Sequence, residues 1–240
     1  MTGASRGIGA AVARRLAREG AAVVLAQRGD ASAVVAEIEA DGGRAVAVAA
    51  DVAAPGGAEA IFAAADDAFG PAEVLVNNAG DQSVGGLLEL SPADWDAMLR
   101  TNVSGAAACI ASFARRRIAA GGGGAVVNVG SIEGVRPAPG HVHYAASKAA
   151  LAQLTRGAAL ELGRHGIRVN LVLPGLVASP ALERDWPDGV ARWLAKAPLG
   201  RLAAPEDVAA ACAFLVSGEA AFVTGAELAV DGGMLATASF

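Results

Sequence analysis

The chain opens Met1-Thr2-Gly3-Ala4-Ser5-Arg6-Gly7-Ile8-Gly9-Ala10, and the reading of this stretch decides the fold. Gly3, Gly7 and Gly9 have the spacing G-x-x-x-G-x-G, a variant of the G-x-G-x-x-G turn in which glycines let the backbone approach a pyrophosphate resting on a helix amino terminus. Such a turn ends a β-strand, yet only Met1 precedes it here. By itself the match is a moderate signal that a plain glycine-rich turn also gives, so the rest of the chain has to discriminate.

Outward from that turn, short β-rich apolar runs alternate with longer helical ones. The runs are AAVVLA (21–26), RAVAVAAD (44–51), EVLVNNAG (73–80), GAVVNVGS (124–131), IRVNLVLPG (167–175) and ELAVDGG (227–233). This alternation predicts βαβ units and a parallel sheet covered on both faces, a doubly wound α/β fold in three layers, αβα. Helical periodicity runs from Gly9 to Glu19, from Tyr144 to Arg164 and from Pro205 to Ser217. A long helix starts at Ser91, with Pro92 suited to its first turn and Asp94 placed to favour the exposed amides. In an open parallel sheet, ligands bind beyond the carboxyl ends of the strands. Those ends carry the glycine turn, Gln27 with Arg28, Asp51 with Val52, Asn77-Asn78-Ala79-Gly80, Gly130 with Ser131, and Pro174 with Gly175, which together would line one crevice.

Composition narrows the class. The 240 residues carry no linker-like division and are expected to form a single domain, 1–240. The 54% hydrophobic content is mostly Ala and Val, which suits buried parallel strands under Ala-rich helices, and charged residues or glycines break every apolar run before it reaches membrane-spanning length. A net charge of −5 argues against a nucleic-acid partner. The one basic run, Arg115-Arg116-Arg117, is read as the solvated last turn of a helix. Cys109 and Cys212 belong to no CxxC or Cys/His cluster, so no metal site is expected, and buried free thiols in a cytoplasmic setting are the plain reading.

The second constellation is Tyr144-Ala145-Ala146-Ser147-Lys148, built on the chain's single tyrosine. Residues four apart share a helix face, so the Lys148 ammonium can sit near the Tyr144 hydroxyl and favour its phenolate. Moving a phenol from about 10 to about 7 takes roughly 4 kcal/mol. Ser131 ends the preceding strand, so the following helix can bring its hydroxyl to Tyr144. Asn102 stands within the long helix as either a local irregularity or a functional polar group.

In order and spacing, these motifs resemble the short-chain dehydrogenase/reductase family from residue 2 to the closing VDGG at 230–233. The resemblance implies a Rossmann domain and assigns Tyr144 as general acid and base, with Lys148 lowering its pKa and holding the nicotinamide ribose. Ser131 would bind the substrate oxygen and Asn102 a water of the proton relay. For the cofactor it implies Gly3, Ser5, Arg6, Gly7, Ile8 and Gly9 at the pyrophosphate, Asp51 and Val52 at the adenine, and Asn78, Ala79 and Gly80 beside the adenine ribose. Tyr144, Lys148, Pro174, Gly175 and Val177 would lie towards the nicotinamide. Ser179 stands at or near a position where the family usually has Thr.

Where an NAD-binding carboxylate would be sought, the chain has Ala26, Gln27 and Arg28. Arg28 and Arg6 can clamp a phosphate, so NADP(H) is favoured over NAD(H), with Asp30 as the counter-argument. The segment 179–198 lies where the family keeps its substrate lid, with Trp186 and Trp193 as pocket walls, packing residues or oligomer contacts. His141 and His143 either reach the substrate or are merely exposed. Expected activity is NADP-dependent transfer of hydride between nicotinamide and a carbonyl or secondary alcohol, with a 3-oxoacyl thioester as leading substrate. A sugar or other secondary-alcohol dehydrogenase and a catalytically idle nucleotide-binding protein are the alternatives. The family's habit implies a homotetramer or homodimer.

The strand before the glycine turn is central in this family, between the second and fourth, and its loss would leave backbone groups unpaired at about 1 to 3 kcal/mol each if buried. The family's strand ends in Val where Met1 stands, and GTG reads as Val inside a gene but as Met at a start. The expectation is therefore that a further short apolar strand is encoded upstream. For the chain as given, a gap or distortion is expected between the strands at 21–26 and 73–77.

Overall fold

The computed structural model describes residues 1–237, with only the backbone described at Glu183. Each apolar run becomes a strand: β1 (Ala22–Gln27), β2 (Arg44–Ala49), β3 (Val74–Asn77), β4 (Gly124–Val129), β5 (Ile167–Pro174) and β6 (Glu227–Val230). All pairings are parallel, in two pieces, β1-β2 and β3-β4-β5-β6. The expected distortion lies between the pieces. Met1 to Gly3 occupy only the carboxyl end of the lane between β1 and β3. Ala26 N–H donates to Met1 O at 2.9 Å, Gly3 N–H to Ala26 O at 2.8 Å and Thr2 N–H to Val76 O at 3.0 Å, so this stub joins the two pieces.

Alternation along the strands decides which helix layer each side chain meets. Val76 and Val127 face α1 (Gly7–Arg18), α2 (Ser32–Ala40) and α9 (Pro205–Val216). Leu75 and Val126 face α3 (Gly57–Phe69), α5 (Gly105–Ala119) and α6 (Val142–Leu162). The three layers follow from this period of two. Cys109 and Cys212 are free and buried within the two helical layers, and burial pushes their thiols up to about 11 and about 12.

The helix expected from Ser91 starts as its composition dictates. Asp94 N–H donates to Ser91 Oγ at 3.3 Å and Ser91 N–H to Asp94 Oδ2 at 2.8 Å, a reciprocal cap that opens α4 (Pro92–Leu99). The helix does not run straight on: a π-helical turn, Arg100–Ser104, separates α4 from α5. Two short helices, α7 (Leu182–Asp185) and α8 (Pro187–Leu194), occupy the 179–198 segment.

One sequence expectation needs correction. Arg115 is exposed, but Arg116 and Arg117 are not a solvated turn. Arg116 reaches α3, donating to Glu59 at 2.7 Å and Asp66 at 2.9 Å while lying over the Phe62 ring, and Arg117 donates to Gly123 O at 2.8 Å. The arginine stems cover apolar surface between helices while their heads find carboxylates or a carbonyl.

Candidate active site

The first wall of the crevice is backbone. Gly3 and Gly7 have φ of +63° and +54°, the left-handed region in which a side chain is strained. A Cβ on Gly9 would lie 2.0 Å from Gly3 O, and one on Gly3 would lie 2.9 Å from the Ala79 backbone. Thr2 locks this approach, its Oγ1 accepting from Asn78 N–H at 3.0 Å and Ala79 N–H at 3.1 Å, while Asn78 Nδ2 donates to Gly3 O at 2.9 Å. The amino terminus of α1, where Ser5, Arg6, Gly7 and Ile8 lie, carries no side-chain cap and no acidic residue in its first turn. Its amides and dipole suit an anion.

Arg28 is exposed just beyond β1, and Arg6 is exposed before α1. Asp30, the competing carboxylate, is engaged elsewhere: it accepts from Ser32 N–H at 2.8 Å and Ser32 Oγ at 2.6 Å, bonds that hold its pKa below the usual carboxylate range. Asp51 and Val52 follow β2, with Asp51 accepting from Ala53 N–H at 2.9 Å and Val52 packed where a Cβ on Gly105 would collide.

The second wall is made of buried side chains. Tyr144 and Lys148 lie on α6, with the Lys148 ammonium 5.5 Å from the Tyr144 ring centroid and donating to Val129 O at 3.0 Å. Ser131 is buried beside Tyr144, near enough to act on its phenol. A Cβ on Gly80 would come within 3.3 Å of Asn102 Oδ1 and 3.7 Å of Lys148 Nζ, which places the turn after β3 against this cluster. Ser131, Tyr144, Lys148 and Asn102 are thus brought together at the crevice mouth.

The helix irregularity offered as one reading of Asn102 is present. Asn102 sits in the π-helical turn, and that irregularity aims it inward: Nδ2 donates to Asp81 O and Ser147 Oγ, both at 2.9 Å, while Oδ1 accepts from Asp81 N–H at 2.7 Å. Ser147 Oγ in turn donates to Tyr144 O at 2.7 Å.

The expected electrostatics of Tyr144 are corrected. Burial dominates and pushes its phenol up to about 12; Ser131 acts downward, and the Glu133 charge adds to the rise. Burial likewise pushes Lys148 down to about 8. At neutral pH the tyrosine is therefore a neutral acid beside an ammonium that has lost most of its water.

The two histidines are not simply exposed. His143 is 1% exposed, edge-on to Trp95 at 6.1 Å, with a buried Nδ1 that has no partner among the described residues. His141 bonds Glu133 through Nδ1 at 2.8 Å and meets the Tyr144 ring edge-on at 6.0 Å. Glu133 carried no sequence signal, because its role depends on a partner eight residues away across a turn. Beyond β5, Pro174 ends the strand, a Cβ on Gly175 would strike Asp231 and Trp193, and Val177 bridges to Ala203. Ser179 Oγ accepts from Leu182 N–H at 3.2 Å at the start of α7. Trp193 packs on the core while Trp186 is half exposed under Arg192. No group of three or more potential metal ligands occurs among the described residues.

Known proteins resemble this chain in sequence and fold. The sequence profile of the family described as enoyl-(acyl carrier protein) reductase matches residues 3–235. The chain is 44% identical to cis-4-hydroxycyclohexanecarboxylate dehydrogenase of Sinomonas cyclohexanicum over 98% of its length and 95% of that protein's. It is 37% identical to a 3-oxoacyl-(acyl-carrier-protein) reductase of Staphylococcus aureus over 98% and 96%. Among solved structures it superposes on a protein described as a 2-deoxy-D-gluconate 3-dehydrogenase from Agrobacterium tumefaciens with bound NADP. That match has a TM-score of 0.91 and 36% identity over 98% of this chain and 95% of that one.

Proposed function

The chain belongs to the short-chain dehydrogenase/reductase family of nicotinamide-dependent oxidoreductases acting on CH–OH or C=O groups, and from that premise we propose how its own residues do this chemistry. Tyr144 is the general acid in carbonyl reduction and the general base in alcohol oxidation. The observation that carries this reading is the buried Tyr144 phenol beside the buried Ser131 and close to the Lys148 ammonium at the crevice mouth. Ser131 holds the substrate oxygen, so that the phenol proton is delivered to that oxygen. Lys148 stabilises the phenolate left behind, and Asn102 holds a water of the relay that returns the proton. These roles lie in the proton path; the idle-protein alternative would predict the loss of one of them, and all four are present.

The cofactor site fits a nicotinamide dinucleotide, because a Cβ would fill the cradle at Gly3 and Gly9 and the uncapped α1 amides suit a pyrophosphate. When bound, that group supplies or accepts the hydride. NADP(H) is favoured over NAD(H): Arg28 and Arg6 stand free of carboxylate partners among the described residues, while Asp30 is committed to α2. The substrate is a carbonyl compound or secondary alcohol. The 3-oxoacyl thioester is a second reading, favoured by the reductase relatives. Residues 1–240 act as one unit with 179–198 as its lid, in the cytoplasm, as a homotetramer or homodimer. The exposed Leu160, Phe214 and Leu228 on α6, α9 and the edge strand β6 support the assembly.

A screen of NADPH and NADH oxidation against ketones and 3-oxoacyl thioesters tests the proposal. The expected outcome is turnover with KM lower for NADPH, and an Arg28→Asp variant that reverses the preference. Tight cofactor binding without turnover of any substrate would favour the idle protein, and a clear preference for NADH would overturn the cofactor reading.

A further inference from the structure

The Glu133–His141 pair lies beside the proton path without belonging to it. Gly140, with φ of +78°, turns the chain into α6 and accepts a hydrogen bond from Gly85 N–H at 2.8 Å, which fastens the loop after β3 against it. The next residue, His141, stands at the N-cap of α6 but makes no side-chain cap bond. Its ring goes instead to Glu133, with Nδ1 2.8 Å from Oε2 and 3.1 Å from Oε1. Glu133 is itself tied to the site, its N–H donating to Ser131 Oγ at 3.1 Å. The pair thus touches the segments that carry both reacting hydroxyls.

Two features separate this pair from an ordinary surface contact. Its side chains are only 20% and 18% exposed, and the imidazole meets the Tyr144 ring at 81° with 6.0 Å between centroids. With Nδ1 bound to the carboxylate, the ring orientation is set and Nε2 is left without a partner among the described residues. A carboxylate that orients a histidine so that its other nitrogen is presented to a ligand is a familiar arrangement.

We infer that His141, oriented by Glu133, forms a substrate subsite beside Tyr144 that takes a second hydroxyl of the substrate, distinct from the oxygen that reacts. This rests on the reading of Tyr144 as acid and base. A hydroxyl is both donor and acceptor, so it satisfies Nε2 whether that nitrogen carries a proton or a lone pair. A carboxylate on the substrate would instead meet the Glu133 charge, and an apolar group would cover Nε2 without replacing its water. A site built to bond a hydroxyl discriminates against the analogue that lacks it, because the polar group is left unpaired. Short polyols and hydroxylated rings are the substrate class this geometry selects.

The test compares oxidation of cyclohexanol with that of the isomeric cyclohexanediols by the wild type, His141→Leu, His141→Gln and Glu133→Gln. The wild type should favour at least one diol by about tenfold or more in kcat/KM, less than a fully buried site would give because the pair is partly wet. His141→Leu should bring that ratio to about one, mainly through KM; Glu133→Gln should lower it less, and His141→Gln should restore part of it. A wild-type ratio near one, a ratio unchanged in His141→Leu, or an equal loss for diol and mono-alcohol would overturn the subsite. Calorimetric binding of the same alcohols to protein saturated with oxidised cofactor reads the preference without turnover. Diol binding that weakens in His141→Leu while no alcohol is oxidised would leave the subsite standing and remove the role assigned to Tyr144.

Discussion

The two walls of the crevice are made in opposite ways. The wall at Gly3 and Gly9 excludes side chains: backbone meets backbone, and a single added carbon would lie 2.0 Å from an oxygen. The wall at Ser131, Tyr144 and Lys148 is filled with polar side chains taken out of water. Tyr144 is 7% exposed and Lys148 5%. The first wall is therefore sensitive to added atoms and the second to removed ones. The first serves binding, which needs close approach to a charged group; the second serves proton transfer, which needs a few groups with displaced pKa values.

The largest expected effect breaks the second wall alone. Tyr144→Phe keeps the ring and removes the oxygen, so turnover should fall by about 10³-fold while the cofactor dissociation constant changes by less than about threefold, as expected when one general acid is lost. Single-turnover kinetics and fluorescence titration measure the two. An equal loss of both would mean that Tyr144 supports the fold and that the walls do not divide their labour.

Next, Gly9→Ala should damage the first wall, with at least a tenfold loss of cofactor affinity or a clear drop in melting temperature, because Gly3 O must move. Gly7→Ala sharpens the comparison. Nothing lies within 4 Å of its would-be Cβ, so only the positive φ is penalised, about 1 kcal/mol. Similar effects at both glycines would show that backbone conformation, rather than close approach, governs this wall.

The smallest effect is on stability. Lys148 sits at about 8 in the fold against an ordinary 10.5, so the unfolded chain binds its proton more tightly. The burial cost, about 3 kcal/mol at most, is present below pH 8 and is relieved as pH rises to 10.5. Lys148→Met should therefore be more stable than wild type at pH 7 by roughly 1 to 3 kcal/mol, lose that advantage near pH 10.5, and have low activity throughout. Tyr144 acts in the opposite sense: its folded pKa of about 12 makes the fold lose stability as pH rises from 10 towards 12. Urea unfolding at about pH 7, 10.5 and 11.5 measures both. A Lys148→Met protein less stable at pH 7 would show that the Val129 bond outweighs desolvation.

Much of the fold was legible because its signals are local. Alternating apolar runs, the Ser91 cap and the glycine spacing act over a few residues, and each strand and the main helices appear within a few residues of their expected bounds. The α2 and α3 helices carried weaker signals, and at Asn102 the sequence offered a helix irregularity as one of two readings without its π-helical form. In the site, the positions of Ser131, Tyr144 and Lys148 were legible but their electrostatics were not. Four-residue spacing put Lys148 near Tyr144, yet it said nothing of how much protein would cover them, and burial is the largest influence on the phenol. His143, expected either to reach the substrate or to be exposed, is buried against Trp95 for the same reason.

What the sequence determined by itself was the order of elements, the parallel sheet and the set of residues delivered to the strand ends, because these depend on period, turn chemistry and spacing along the chain. Tertiary structure alone decided that Arg116 spans to α3, that Glu133 finds His141, and that burial pushes the Tyr144 phenol up to about 12. Each of these depends on which groups meet through space and how much water they lose in meeting, quantities that no window of neighbouring residues contains.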